Sequence, residues 1–160
     1  MTEQDRIDRE EIRDLLTRYN SYGDRGRVND MVCLFAPDAT MEAVGKNVSG
    51  SAEIHELLMA NPLGPEHRFT RHHITTQQID LDGDAAMART YFAVLTNIGL
   101  DHSGVYVDRL TRREECWLIA CRQVRLDWQA PDSVYCPLPI HRRDPVGAPG
   151  PVRTEPSEKN

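Results

Sequence analysis

Three side chains raise the first question about this chain. Tyr19 and Asp24 stand at the end of the first amphipathic segment, and His72 lies in an alternating stretch well downstream. A carboxylate that holds one imidazole nitrogen leaves the other free to take a proton from a bound molecule, which is half of an acid–base site. From spacing alone a plainer use stays open: His72 as a satisfied core histidine and Asp24 as the cap of a second helix.

Within Phe69–Ile79, strand alternation puts His72 and Ile74 on one face and Arg71 and His73 on the other. If Ile74 faces the interior, so does His72. A buried imidazole needs partners, and Asp24 is the best candidate. Arg122, on the last apolar stretch, is in range to hold an anionic or carbonyl group of a ligand; a solvated strand face is its competing use. Tyr91, Asn97, Tyr106 and Trp117 are candidate wall residues, against ordinary core packing for each. His55, His67, His102 and His141 lack metal-ligand spacing, so no metal site is expected. With no glycine-rich phosphate loop and no G-x-S-x-G elbow, no cofactor is expected either.

The elements that must position these groups are legible from period and punctuation. Residues 8–22 read as a helix with Asp8 as N-cap, Glu11 completing a capping box and Ile7 stapled onto Ile12. Its buried stripe is Ile12, Leu15, Leu16, Tyr19 and Tyr22, and Gly23 ends it. A short helix over 26–34, a strand over 39–44 and a helix capped by Ser51 follow, the last stopping before Asn61-Pro62. The second half changes period: 69–81, 84–98, 103–112 and 115–128 read as strands, with Asp82-Gly83 as a hairpin signal. Helices first and strands later imply an α+β domain in which helices cover one face of a curved antiparallel sheet and leave room for a pocket. The domain is read as residues 1–129 and a proline-rich tail as 130–160. Val134–Ile140 is apolar enough to pack over the pocket mouth or on a neighbouring subunit, and the chain from Gly147 is expected to be mobile.

The chain has 160 residues, enough for one core that buries roughly 70% of the unfolded surface. A net charge of −6 and a pI near 5.5 exclude a nucleic-acid protein of the basic type, since neither Arg112-Arg113 nor Arg142-Arg143 extends into a basic run. No apolar run is long enough to span a bilayer, so no membrane partner is expected. The charged, periodic start reads as no secretory signal, which makes the cytoplasm the expected compartment. In that setting Cys33, Cys116, Cys121 and Cys136 are read as free thiols buried as small core residues.

Several ordered motifs carry a resemblance. They are Arg18-Tyr19-x-x-x-x-Asp24, Asp30-Met31-x-x-Leu34-Phe35-Ala36-x-Asp38-Ala39, Arg71-His72-x-Ile74, Asp82-Gly83-Asp84-x-Ala86, and Trp117-x-Ile119 leading to Asp127-Trp128. Over about residues 6–129 the chain resembles the SnoaL-like branch of the nuclear-transport-factor-2-like superfamily. It is most similar there to the group of scytalone dehydratase, bile-acid 7α-dehydratase and lindane dehydrochlorinase. The resemblance implies a cone-shaped barrel, a curved antiparallel sheet wrapped around N-terminal helices. It implies catalysis by His72 with Asp24, and Tyr19 lining the pocket. The activity implied is a cofactor-independent, dehydratase-like lyase or an isomerase on a small hydrophobic cyclic molecule, in a homo-oligomer with a trimer favoured over a dimer. The superfamily also implies two rivals: a non-catalytic binding or assembly domain like a dioxygenase β-subunit, and a polyketide-cyclase-type aldol enzyme.

Overall fold

The computed structural model describes residues 1–60, 67–135 and 137–141. Helix α1 (Glu3–Gly23) starts earlier than the sequence signals suggest. Thr2 is its N-cap, and Thr2 and Asp5 form the reciprocal capping box; Ile7 is exposed and staples nothing. Asp8 is buried in the second turn, where it accepts from Trp117 Nε1 at 3.3 Å and pairs with Arg112 at 3.1 Å. Asp8 therefore ties the helix to the sheet, which explains an acidic residue beside the apolar stripe. That stripe runs through Ile12, Leu15, Leu16 and Tyr19, as periodicity predicts.

After α1 come α2 (Val28–Val32), β1 (Phe35–Ala43), β2 (Lys46–Ser49) and α3 (Gly50–Met59). Strand β2 is too short and polar to show in the sequence pattern. It follows a two-residue turn in which Val44 and Gly45 both have positive φ. Four long strands complete the sheet: β3 (Arg71–Asp82), β4 (Ala85–Thr96), β5 (Gly99–Arg113) and β6 (Cys116–Gln129). The order is β2-β1-β6-β5-β4-β3. The sheet is curved but does not close, so the expected barrel is open between β2 and β3. One pair also departs from the antiparallel expectation: β1 runs parallel to β6.

All three helices pack on one face. Ile12, Leu16, Ile54, Val94 and Ile119 are fully buried between the layers, each stabilising the fold by about 1.5–3 kcal/mol through removal from water. Two bulges decide which side chains join them. In β3 the register slips between Ile74 and Gln77, so Ile74 and Ile79 share the inner face although five residues apart. In β6 the slip at Ala120 moves the inward set from Trp117 and Ile119 to Arg122, Val124 and Leu126. Strict alternation would have put Arg122 in water.

The cysteines correct another expectation. Cys33 and Cys116 are exposed and Cys121 is half-buried, all three free. Cys33 caps the short α2 and Cys116 follows a tight turn, positions outside the packed layers. Cys136 and the segment from Arg142 onward, including the part expected to be mobile, lie outside the described residues.

Candidate active site

Asp24 is the C-cap of α1, and His72 is the second residue of β3, an edge strand that passes this helix end. The carboxylate meets the same residue twice. Oδ1 accepts from His72 Nδ1 at 2.6 Å and Oδ2 from the His72 backbone N–H at 2.8 Å. An ionised carboxylate only accepts, so Nδ1 carries the proton and Nε2 is the unprotonated nitrogen of the neutral ring. Both side chains are largely but not wholly buried. His73 faces outward and is exposed, as the pleat requires.

The pair borders a cavity of about 720 Å³ between the helices and the sheet, large enough for a drug-sized molecule. Met31, Met41, Leu57, Leu58 and Val124 give it apolar walls. Tyr19 lies on its wall, edge-on to Phe35 and Tyr106 at 6.0 and 5.9 Å between centroids. Tyr106 also lines it and donates its hydroxyl to Asn20 Oδ1 at 3.1 Å. Burial raises the pKa of both phenols, strongly so for Tyr106, where the neighbouring Tyr19 adds to the effect. Both are protonated donors at neutral pH.

The remaining candidates fall elsewhere. Arg122 is buried beneath the two tyrosines, its guanidinium carbon 3.9 Å from the Tyr19 ring centroid and 4.4 Å from that of Tyr106. It makes two 2.8 Å bonds to the Asp108 carboxylate and does not line the cavity. Burial disfavours its charge, but Asp108 reverses this and raises the pKa. Arg122 is thus the floor of the site and no ligand clamp, because the β6 bulge drives it into the core. Tyr91 sits outside the cavity, 41% exposed, with the Arg89 guanidinium over its ring. Asn97, in the β4–β5 turn, accepts from the Arg68 backbone N–H at 3.1 Å and supports a cavity-lining segment without lining it. Trp117 belongs to the core.

Two cavity residues were invisible from spacing. His102 is a second inward imidazole whose Nδ1 lies 2.8 Å from Asp101 Oδ1. Burial lowers its pKa, against the opposing pull of Asp101 and with a further push from His72. Tyr135 comes from beyond the sheet and packs edge-on against His102 at 4.9 Å between centroids. The Asp101-His102 dipeptide looks like a turn signal, and only the register slip at Asp101 between β4 and β5 turns both residues inward. Among the described residues no three His, Cys, Asp or Glu side chains converge as a metal site, and no helix is long and apolar enough to cross a membrane.

Known proteins share this architecture. The SnoaL-like domain family matches residues 4–123. A provisionally assigned scytalone dehydratase from Novosphingobium aromaticivorans superposes with a TM-score of 0.74 at 19% identity, covering 90% of this chain and 100% of that one. The beta subunit of a provisionally assigned aromatic-ring-hydroxylating dioxygenase from the same organism gives 0.67 at 20%, covering 84% and 100%. A protein of unknown function from Mycobacterium tuberculosis gives 0.69 at 26%, covering 83% and 79%. No curated protein sequence matches the chain.

Proposed function

Because the chain belongs to the SnoaL-like domain family, we propose that its cavity carries out cofactor-independent acid–base chemistry, a dehydratase-like elimination or an isomerisation, on a small hydrophobic cyclic molecule. One observation carries this reading. Both oxygens of Asp24 are spent on His72, which fixes the ring and its tautomer and leaves Nε2 as the free base beside an apolar cavity. A carboxylate used only to cap a helix would bond to that helix's own backbone. His72 then removes a proton from carbon, and Asp24 stabilises the imidazolium that forms. Tyr19 donates to the oxygen on which negative charge develops. His102, neutral at pH 7, is a second proton acceptor in the same cavity.

The test uses 2-tetralone, an apolar bicyclic ketone with acidic α-protons. The wild-type protein in D₂O should exchange those protons faster than buffer, as read by ¹H NMR, and His72→Gln should abolish the excess. Equal exchange by protein and buffer would refute a base at this position. The rival reading, a non-catalytic assembly domain, draws on the likeness to the dioxygenase beta subunit. The polyketide-cyclase-type reaction would use the same residues.

A further inference from the structure

A charged pair lies buried under the site. Arg122 and Asp108 are both fully buried, and the guanidinium binds the carboxylate through Nε and Nη2, each at 2.8 Å. Taking two charges out of water is costly, and an apolar pair of the same volume is often as stable. Packing alone therefore gives no reason for an ion pair here. The guanidinium is also incompletely used: Nη1 is buried and has no hydrogen-bond partner among the described residues. A buried donor in that state asks for a role in the site.

What the cation meets is aromatic. Its central carbon stands over the Tyr19 ring at 3.9 Å and the Tyr106 ring at 4.4 Å, the stacking that a flat, weakly hydrated guanidinium favours. Both rings line the cavity and Arg122 does not, so its charge reaches a ligand only through them. Tyr106 commits its hydroxyl proton to Asn20 Oδ1 at 3.1 Å, which makes Tyr19 the phenol whose proton a ligand can share. A positive charge beside a phenol favours the electron-rich oxygen that forms as this proton is shared, and so strengthens the donor. Burial holds the Tyr19 phenol above its usual range, while Arg122 pulls it down by more than Asp108 pushes it up. The two buried charges act on Tyr19 with opposite signs, and the arginine has the larger effect.

We propose that Arg122 is a positioning residue for the reaction: its guanidinium, seated against the Tyr19 ring by Asp108, strengthens the Tyr19 hydroxyl as a donor without touching the ligand. Asp108 sets how far that strengthening goes. The proposal deepens the acid–base reading and rests on it for the use made of the donor, the oxygen on which negative charge develops. It also gives the β6 bulge a function, since without that slip Arg122 would face water.

The experiment places 3,5-difluorotyrosine at position 19 of the full-length protein and follows its ionisation by ¹⁹F NMR with no substrate present. Replacing the pair together, Arg122→Met with Asp108→Leu, removes both charges while keeping the volume filled, and should raise the phenol midpoint by about one pH unit. Asp108→Asn leaves the cation and should lower the midpoint, and Arg122→Lys, which keeps a charge, should stay between the two; circular dichroism checks each fold. A midpoint unmoved by the paired replacement, or moved the same way by Asp108→Asn, overturns the proposal. One measurement needs no change at Arg122: its guanidinium ¹⁵N resonances should titrate with the position-19 midpoint, and resonances that ignore it also overturn the proposal. With Tyr19 restored, the paired replacement should slow 2-tetralone exchange at saturation about tenfold with little change in KM, since a donor to developing charge acts in the transition state. A raised KM at unchanged kcat would mark a merely structural role and count against it. A wild type without any exchange ends the base reading, and the titration still decides this one.

Discussion

At the scale of single residues, the contrast between His72 and its neighbour His73 is the sharpest check on the site. With Nε2 as the base, His72→Ala should lower 2-tetralone exchange by the roughly 10²–10⁴-fold that general-base catalysis supplies, while exposed His73→Ala should stay within a factor of about two. Asp24→Asn leaves the ring in place but wrongly held, so its loss should not exceed that of His72; an essential His73 would show the register to be off by one. His102 permits a second measurement. Its pKa lies below 6.5 chiefly because of burial, opposed by Asp101. Between the folded and unfolded values the unfolded chain holds the extra proton, so stability rises with pH across that window and is lost as pH falls below about 6.5. NMR titration should find the His102 midpoint below 6.5, and Asp101→Asn should shift it lower again. An ordinary or raised midpoint would contradict a buried neutral imidazole. Helical period and pleat pointed Tyr19 and His72 inward in the sequence, and the resemblance, not spacing, supplied Asp24 as the partner of His72. The sequence hid Arg122, because a one-residue bulge reverses the face of everything after Ala120.

Among the elements, the periodic ones were readable and the turns were not. Stripes on α1 and β3–β6 follow from repeated burial, whereas the start of α1 depended on choosing between two capping boxes in a run of acidic and polar residues. The helix took the earlier, at Thr2, because Asp8 is worth more inside, bonded to Trp117 and Arg112. Strand β2 was missed because its turn breaks a residue preference. Val44 sits at φ 49°, in the left-handed region, where a β-branched side chain is crowded. Asn tolerates that conformation and favours this turn before Gly45. Val44→Asn should therefore stabilise the fold by about 1 kcal/mol, raising the melting temperature by about 2–4 °C. A lowered melting temperature would mean that Val44, which also lines the cavity, packs there more than it strains.

For the whole molecule, the open sheet leaves two edges, β2 and β3, and exposes Tyr91 and Trp128 on its strands. We propose that a homo-oligomer covers part of this surface, with a trimer favoured over a dimer, since unpaired strand edges and exposed large apolar side chains favour association. Light scattering at micromolar concentration should give a multiple of the 18.2 kDa protomer, and the protomer mass alone would refute association. The α+β architecture itself was legible from the change of period halfway along the chain, but closure was not, because curvature depends on bulges that leave no composition signal.

The parallel contact of β1 with β6 has a consequence in time as well as in space. The meander from β3 to β6 can assemble by neighbouring hairpins, each closing a short loop. Strand β1 cannot join until β6 exists to meet it, with Phe35 opposite Ile119 across the longest sequence separation in the sheet. Loop closure of that length makes this the slow entropic step. On a ribosome the N-terminal helices and the β1–β2 hairpin would wait for the last strand to emerge. The helix end that presents Asp24 therefore reaches its final frame late, and the site is among the last parts of the protein to become competent.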